Sequence, residues 1–117
     1  MTQAAHRSAI AKQADARVRV EPLGETLIVR PGEPLMRAAA RQGLRWPTIC
    51  KGSGLCGACY VRVVEADEAL EPPSKRESAT LKLVPPHMRG PEVRLACQLV
   101  PRGTMSVERV GVVRRED

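Results

Sequence analysis

The stretch TICKGSGLCGACYVRV, residues 48–63, places three cysteines within ten positions, and a fourth follows only after 37 further residues. The resulting spacing, C-x5-C-x2-C-x37-C over Cys50, Cys56, Cys59 and Cys97, constrains the chain more than anything else in it. Any fold that uses all four must bring Cys97 back to a loop left far behind. Gly52, Gly54 and Gly57, with Ser53 and Ala58, keep that loop free of bulky side chains. Glycine also tolerates positive φ, so the backbone can wrap closely around a compact core.

Four thiolates saturate the two irons of a 2Fe–2S cluster, two sulfurs to each iron. In such a loop the backbone of Lys51, Gly52, Ser53, Gly54, Leu55, Gly57 and Ala58 can aim N–H groups at the sulfurs. Those bonds stabilise negative charge and tune the potential. Zinc is the chemical rival. Structural sites of four cysteines usually pair two short hooks, whereas here one side offers three ligands and the other a lone cysteine. A colourless protein would mark that alternative. The two histidines, His6 and His87, lie far from every cysteine in sequence and give no support to mixed histidine–cysteine ligation.

A chain of 117 residues suits one domain. Its hydrophobic fraction is 43 %, yet it has no Phe, one Trp and one Tyr, so Val, Leu, Ile, Ala and Met must build the core. A cofactor that ties distant segments together would add its binding energy to so lightly packed a fold. The N-terminus has no apolar run of signal-peptide length, and no stretch reaches the roughly 18 apolar residues of a membrane span. A cytoplasmic location is therefore expected, where four cysteines serve metal or redox chemistry rather than disulfides. The formal net charge of +6 suits either a plain solvated surface or attraction to an acidic protein partner, an anionic membrane surface or nucleic acid. Two aromatic rings, and no nucleic-acid-binding motif, argue against nucleic acid.

Periodicity sketches the rest. Residues 1–15 form an arm with no clear apolar face. Val18 and Val20 alternate with Arg17, Arg19 and Glu21, which predicts a strand ended by Pro22; Gly24-Glu25 turns it into a second run, Thr26 to Arg30. Leu35, Ala38, Ala39 and Gln42 recur at helical spacing, with Pro34 before them and Gly43 after, predicting a helix over 34–42. Residues 60–65 read as a strand leaving the cysteine loop. Ser74 caps a short helix, SKRESATLKL, with Glu77 in the capping-box position. VRLACQLV reads as extended, and residues 105–110 as a final strand. The expected fold is α+β: a mixed sheet with one main helix and a short second helix, over 16–112, followed by a tail at 113–117.

CKGSGLCGACYVRV and VRLACQL resemble the 2Fe–2S ferredoxins of the β-grasp fold, and the resemblance covers about residues 16–112. It implies a one-electron carrier with its cluster near the surface, Cys50, Cys56, Cys59 and Cys97 as ligands, and no catalysis of its own. The five-residue first gap is similar to the adrenodoxin and bacterial Isc-type branch. GLCGACYVRV and RLACQL are also similar to ferredoxin modules beside adenylate cyclase domains or in corrinoid activators. The implied partners are a ferredoxin reductase and an acceptor enzyme, met by a monomer. A regulatory module whose cluster state is sensed by a protein partner is the alternative.

One departure stands out. The adrenodoxin branch presents acidic residues on the helix between the third and fourth cysteines, but here that segment carries Lys75, Arg76 and Lys82 against Glu77 alone. A cluster bearing about −2 when oxidised leaves the whole protein basic. The expected partner therefore offers an acidic docking patch, with Arg102, Arg114 and Arg115 as further contacts. Lys51 and Arg94 lie close to ligands in sequence and should favour the more negative, reduced state. Trp46 is expected to anchor the loop by packing, and Tyr60 to shield the sulfurs from water. Glu33, Glu65 and Asp67 make no acid–base pair.

Overall fold

The computed structural model describes residues 14–47 and 58–115. The arm over 1–13, Cys50, Cys56 and the loop positions Lys51, Gly52, Ser53, Gly54, Leu55 and Gly57 lie outside the described residues.

The alternation read from the sequence becomes a hairpin. Strand β1 (Ala16–Glu21) pairs antiparallel with β2 (Glu25–Val29), and Val18 and Val20 point into the core while Arg17 and Arg19 face solvent. Gly24, at φ 83°, makes the turn. Helix α1 (Leu35–Arg41) follows, one residue shorter at each end than expected, and buries Leu35, Ala38 and Ala39. Gly43, at φ 88°, reverses the chain into the short strand β3 (Leu44–Arg45). Beyond the cysteine loop come β4 (Tyr60–Ala66), helix α2 (Lys75–Leu81) and β5 (Val93–Leu95), then β6 (Thr104–Glu108) and β7 (Val113–Arg114).

Five strands form one mixed sheet in the order β2-β1-β6-β4-β5, with β1 and β6 parallel and the other neighbours antiparallel. A mixed sheet with two helices is the α+β architecture expected. Leu27, Val29, Val61, Leu95, Met105 and Val107 meet Leu35, Ala38 and Ala39 of α1 in the main core. Strand β7 pairs with β3 immediately past the boundary drawn at 112, and Arg114 adds an ion pair to Glu25. The outer edge of β2 is closed by a side chain. Gln42 accepts from the Ile28 N–H at 3.0 Å and donates to the Ile28 carbonyl at 2.7 Å, occupying backbone groups that would otherwise invite another strand.

Two expectations change. Residues 93–100 are not one extended run: only Val93–Leu95 is strand, and Gln98 and Leu99 donate back to the Leu95 carbonyl in a turn. Glu77 is not the reciprocal half of a capping box. Ser74 does accept from the Glu77 N–H, but the Glu77 carboxylate is buried against the Arg94 guanidinium at 2.7 and 2.9 Å and accepts the Leu95 N–H at 3.0 Å. Arg94 spends a third donor on the Glu71 carbonyl. An unpaired buried charge costs more than an unmade cap bond, so the long-range pair prevails.

Glu33 is pinned similarly by Arg41, at 2.8 and 3.0 Å, and by the Arg30 N–H. The Arg41 guanidinium holds its carboxyl below the ordinary 4.5. Its stabilisation is therefore present above that value and disappears as pH falls through the lowered one. In urea titrations, the stability gap between the protein and Glu33→Gln should narrow steadily as pH falls below 4.5; a gap independent of pH would refute the assignment. Glu77→Ala should cost about 3–5 kcal/mol by leaving Arg94 buried and unpaired. The exposed pair is different, and Arg114→Ala should cost far less than Glu77→Ala in the same titrations.

Candidate metal centre

Cys59 ends the cysteine loop immediately before β4, and Cys97 follows β5 by two residues; both are buried. Strands β4 and β5 are antiparallel, with Tyr60 opposite Leu95, so the two cysteines leave the pair at the same end. One further bond completes the juncture: the Ala96 N–H donates to the Cys59 carbonyl at 3.0 Å. The 37-residue gap is closed there.

Three other groups hold this corner. The indole N–H of Trp46 donates to the same Cys59 carbonyl at 3.2 Å, which makes Trp46, buried four residues before Cys50, the anchor expected of it. Helix α1 has no side-chain cap; instead the Leu35 and Met36 N–H groups donate to the Leu99 and Ala96 carbonyls, each at 2.8 Å. The turn carrying Cys97 thus satisfies donors that a helix start always leaves open. The side-chain amide of Gln98 approaches the Cys97 sulfur at 3.6 Å, within reach of a weak N–H···S bond. Ala58, half-buried, is the loop position of the expected backbone donors that falls within the described residues.

The charges near this corner differ from their sequence reading. Arg94, three residues before Cys97, is neutralised by buried Glu77. Arg109, fifty residues from Cys59, lies closer to the chemistry than sequence distance suggests. Its guanidinium carbon stands 3.7 Å from the Tyr60 ring centroid, and it donates to the Tyr60 carbonyl at 3.0 Å. Tyr60 is half-buried, as expected, although a guanidinium and not only protein packing covers it. No local motif marks Arg109; only the register of β4 beside β6 brings it there. Glu33 and Asp67 have structural partners, Asp67 accepting from the Thr104 N–H at 2.9 Å.

The described half of the donor set fits a thiolate-bound group: two buried cysteines on one corner, held by backbone bonds and reached by a side-chain amide. Comparisons with known proteins agree. A family model described as a 2Fe–2S iron–sulfur cluster binding domain matches residues 18–102. Ferredoxin-2 of Haloarcula marismortui is 34 % identical over 91 residues, covering 78 % of this chain and 59 % of that protein. The reductase component DmpP of a Pseudomonas phenol 2-monooxygenase is 44 % identical over 50 residues, 43 % of this chain and 14 % of that protein. The chain therefore spans less than two thirds of either relative. In fold it is similar to the ISC-like 2Fe–2S ferredoxin of Pseudomonas putida, with TM-score 0.67, 20 % identity, and coverage of 87 % and 99 % of the two chains.

Trp46 offers a direct check on the corner. Trp46→Phe keeps most of the packing and deletes one bond to the Cys59 carbonyl, so chemical denaturation should show a loss of about 1 kcal/mol. Trp46→Ala should cost about 3–5 kcal/mol. No loss in Trp46→Phe would mean that the indole N–H contributes nothing.

Proposed function

The chain belongs to the 2Fe–2S iron–sulfur cluster binding domain family, and from that membership we propose that it is a ferredoxin-type electron carrier rather than a catalyst. Cys50, Cys56, Cys59 and Cys97 are its cluster ligands. The observation that carries this reading is the Ala96-to-Cys59 backbone bond, which joins the far cysteine's turn to the three-cysteine loop. Bound there, a 2Fe–2S cluster supplies a one-electron couple. The chain's own residues would position it: Trp46 and α1 hold the corner, Tyr60 stands beside it at the start of β4, and the backbone of residues 51–58 would donate to the sulfurs.

The partners are a reductase that supplies electrons and an enzyme that accepts them, met by a monomer in a reducing cytoplasm. No helix among the described residues is long and apolar enough to cross a membrane. Helix α2 favours an acidic partner. Its acid, Glu77, is buried and committed to Arg94, while Lys75, Arg76 and the following Lys82 are exposed, so the solvent face carries cations alone. Arg114 and Arg102 contribute less, being paired with or close to Glu25 and Glu71.

Anaerobically purified protein should be brown, contain two irons and two sulfides, and give an S = 1/2 signal after one-electron reduction. Cys97→Ala should lose or badly destabilise the cluster; a normal spectrum in that variant, or a colourless zinc protein, would overturn the assignment. With an acidic partner, transfer should slow about tenfold between low and high salt, as electrostatic steering is screened. Rates flat with salt would remove the acidic docking patch.

A further inference from the structure

Arg109 is an unusual place for a cation. It follows β6 directly, and its own backbone N–H is tied to the Glu21 carbonyl at 2.8 Å. Its side chain folds back across the sheet, where the Nε donates to the Val110 carbonyl at 3.0 Å and one Nη to the Tyr60 carbonyl at 3.0 Å, with the guanidinium carbon over the Tyr60 ring. Three attachments hold a half-buried charge against the residue that follows Cys59. Tyr60 follows Cys59 directly, so the contacts to its carbonyl and ring place the guanidinium one residue from a cysteine of the candidate site. Arginine remains protonated throughout. The pairing that silences Arg94 is absent here, since Arg109 makes none of the ion pairs found among the described residues.

We propose that Arg109 sets the reduction potential of the cluster, its guanidinium clamped over Tyr60 acting as a fixed positive charge that favours the reduced state. The inference rests on the cluster reading above. Reduction adds one electron and one negative charge to the site, and Arg109 neither gains nor loses a proton in that step. A charge already in place attracts the added electron without any rearrangement. Because the guanidinium is half-desolvated, added salt screens it less than it screens a surface lysine. Arg109 is thus a tuning residue, acting through space and through the orientation of Tyr60 rather than by touching the irons.

The test is redox titration of the purified holoprotein at an electrode, read by visible absorption. Arg109→Gln should lower the equilibrium constant for reduction about tenfold, or about 59 mV for a one-electron couple. Arg109→Lys, which keeps the charge but not the planar clamp, should restore most of the loss. Arg62→Gln removes an exposed arginine of the neighbouring strand and should change the constant less than twofold. The Arg109→Gln deficit should survive half-molar salt. An Arg109→Gln constant within twofold of the parent, or a lysine variant no better than glutamine, overturns the proposal. If Arg109→Gln fails to hold a cluster, Tyr60→Leu decides: a guanidinium freed from its ring should leave a smaller drop in the same direction, and an unchanged constant refutes it. A parent protein without any cluster would instead defeat the underlying reading, so the two failures are distinguishable.

Discussion

The Cys59 carbonyl is where the fold and the site become one problem. It accepts two donors, the Ala96 N–H and the Trp46 indole, from segments that approach it from opposite directions in sequence. The Ala96 donor could not reach it unless β4 and β5 were in register, and that register depends on the core beneath them. Helix α1 is recruited to the same corner, since its first N–H groups end on the Ala96 and Leu99 carbonyls. A buried carbonyl or N–H left without a partner costs about 1–3 kcal/mol. The corner cannot loosen in one place without orphaning groups in several, which is how a core without phenylalanine still presents buried cysteines in a defined arrangement.

What was legible in the sequence was local. Val18 and Val20 announce a strand because alternation is a property of neighbours, and Gly43 announces a helix end because positive φ is demanded at one position. Ser74 worked as a cap for the same reason. Glu77 misled because its position also satisfies a local rule, while its actual partner lies 17 residues downstream. Gln42 looked like one more position on a helical stripe, yet its amide closes the edge of β2. The candidate site divides the same way. The cysteine spacing favoured a 2Fe–2S cluster over zinc, in agreement with the family model, but Arg109 was invisible, because nothing near it in sequence indicates that β6 will run beside β4.

The basic character of the chain also separates into parts once each cation's surroundings are known. Arg94 was attractive in sequence for its closeness to Cys97, but Glu77 cancels it, and the pair serves instead to fasten α2 to β5. Lys75, Arg76 and Lys82 sit in water, where each is weak close at hand but the group can steer a partner from a distance in low salt. Arg109 is the reverse: half-buried, clamped, and short in range. On the proposed reading, substitutions that alter docking need not alter the potential, because the exposed and the half-buried cations have different dielectric surroundings. A single net charge of +6 conceals that division, and only the burial of individual side chains reveals it.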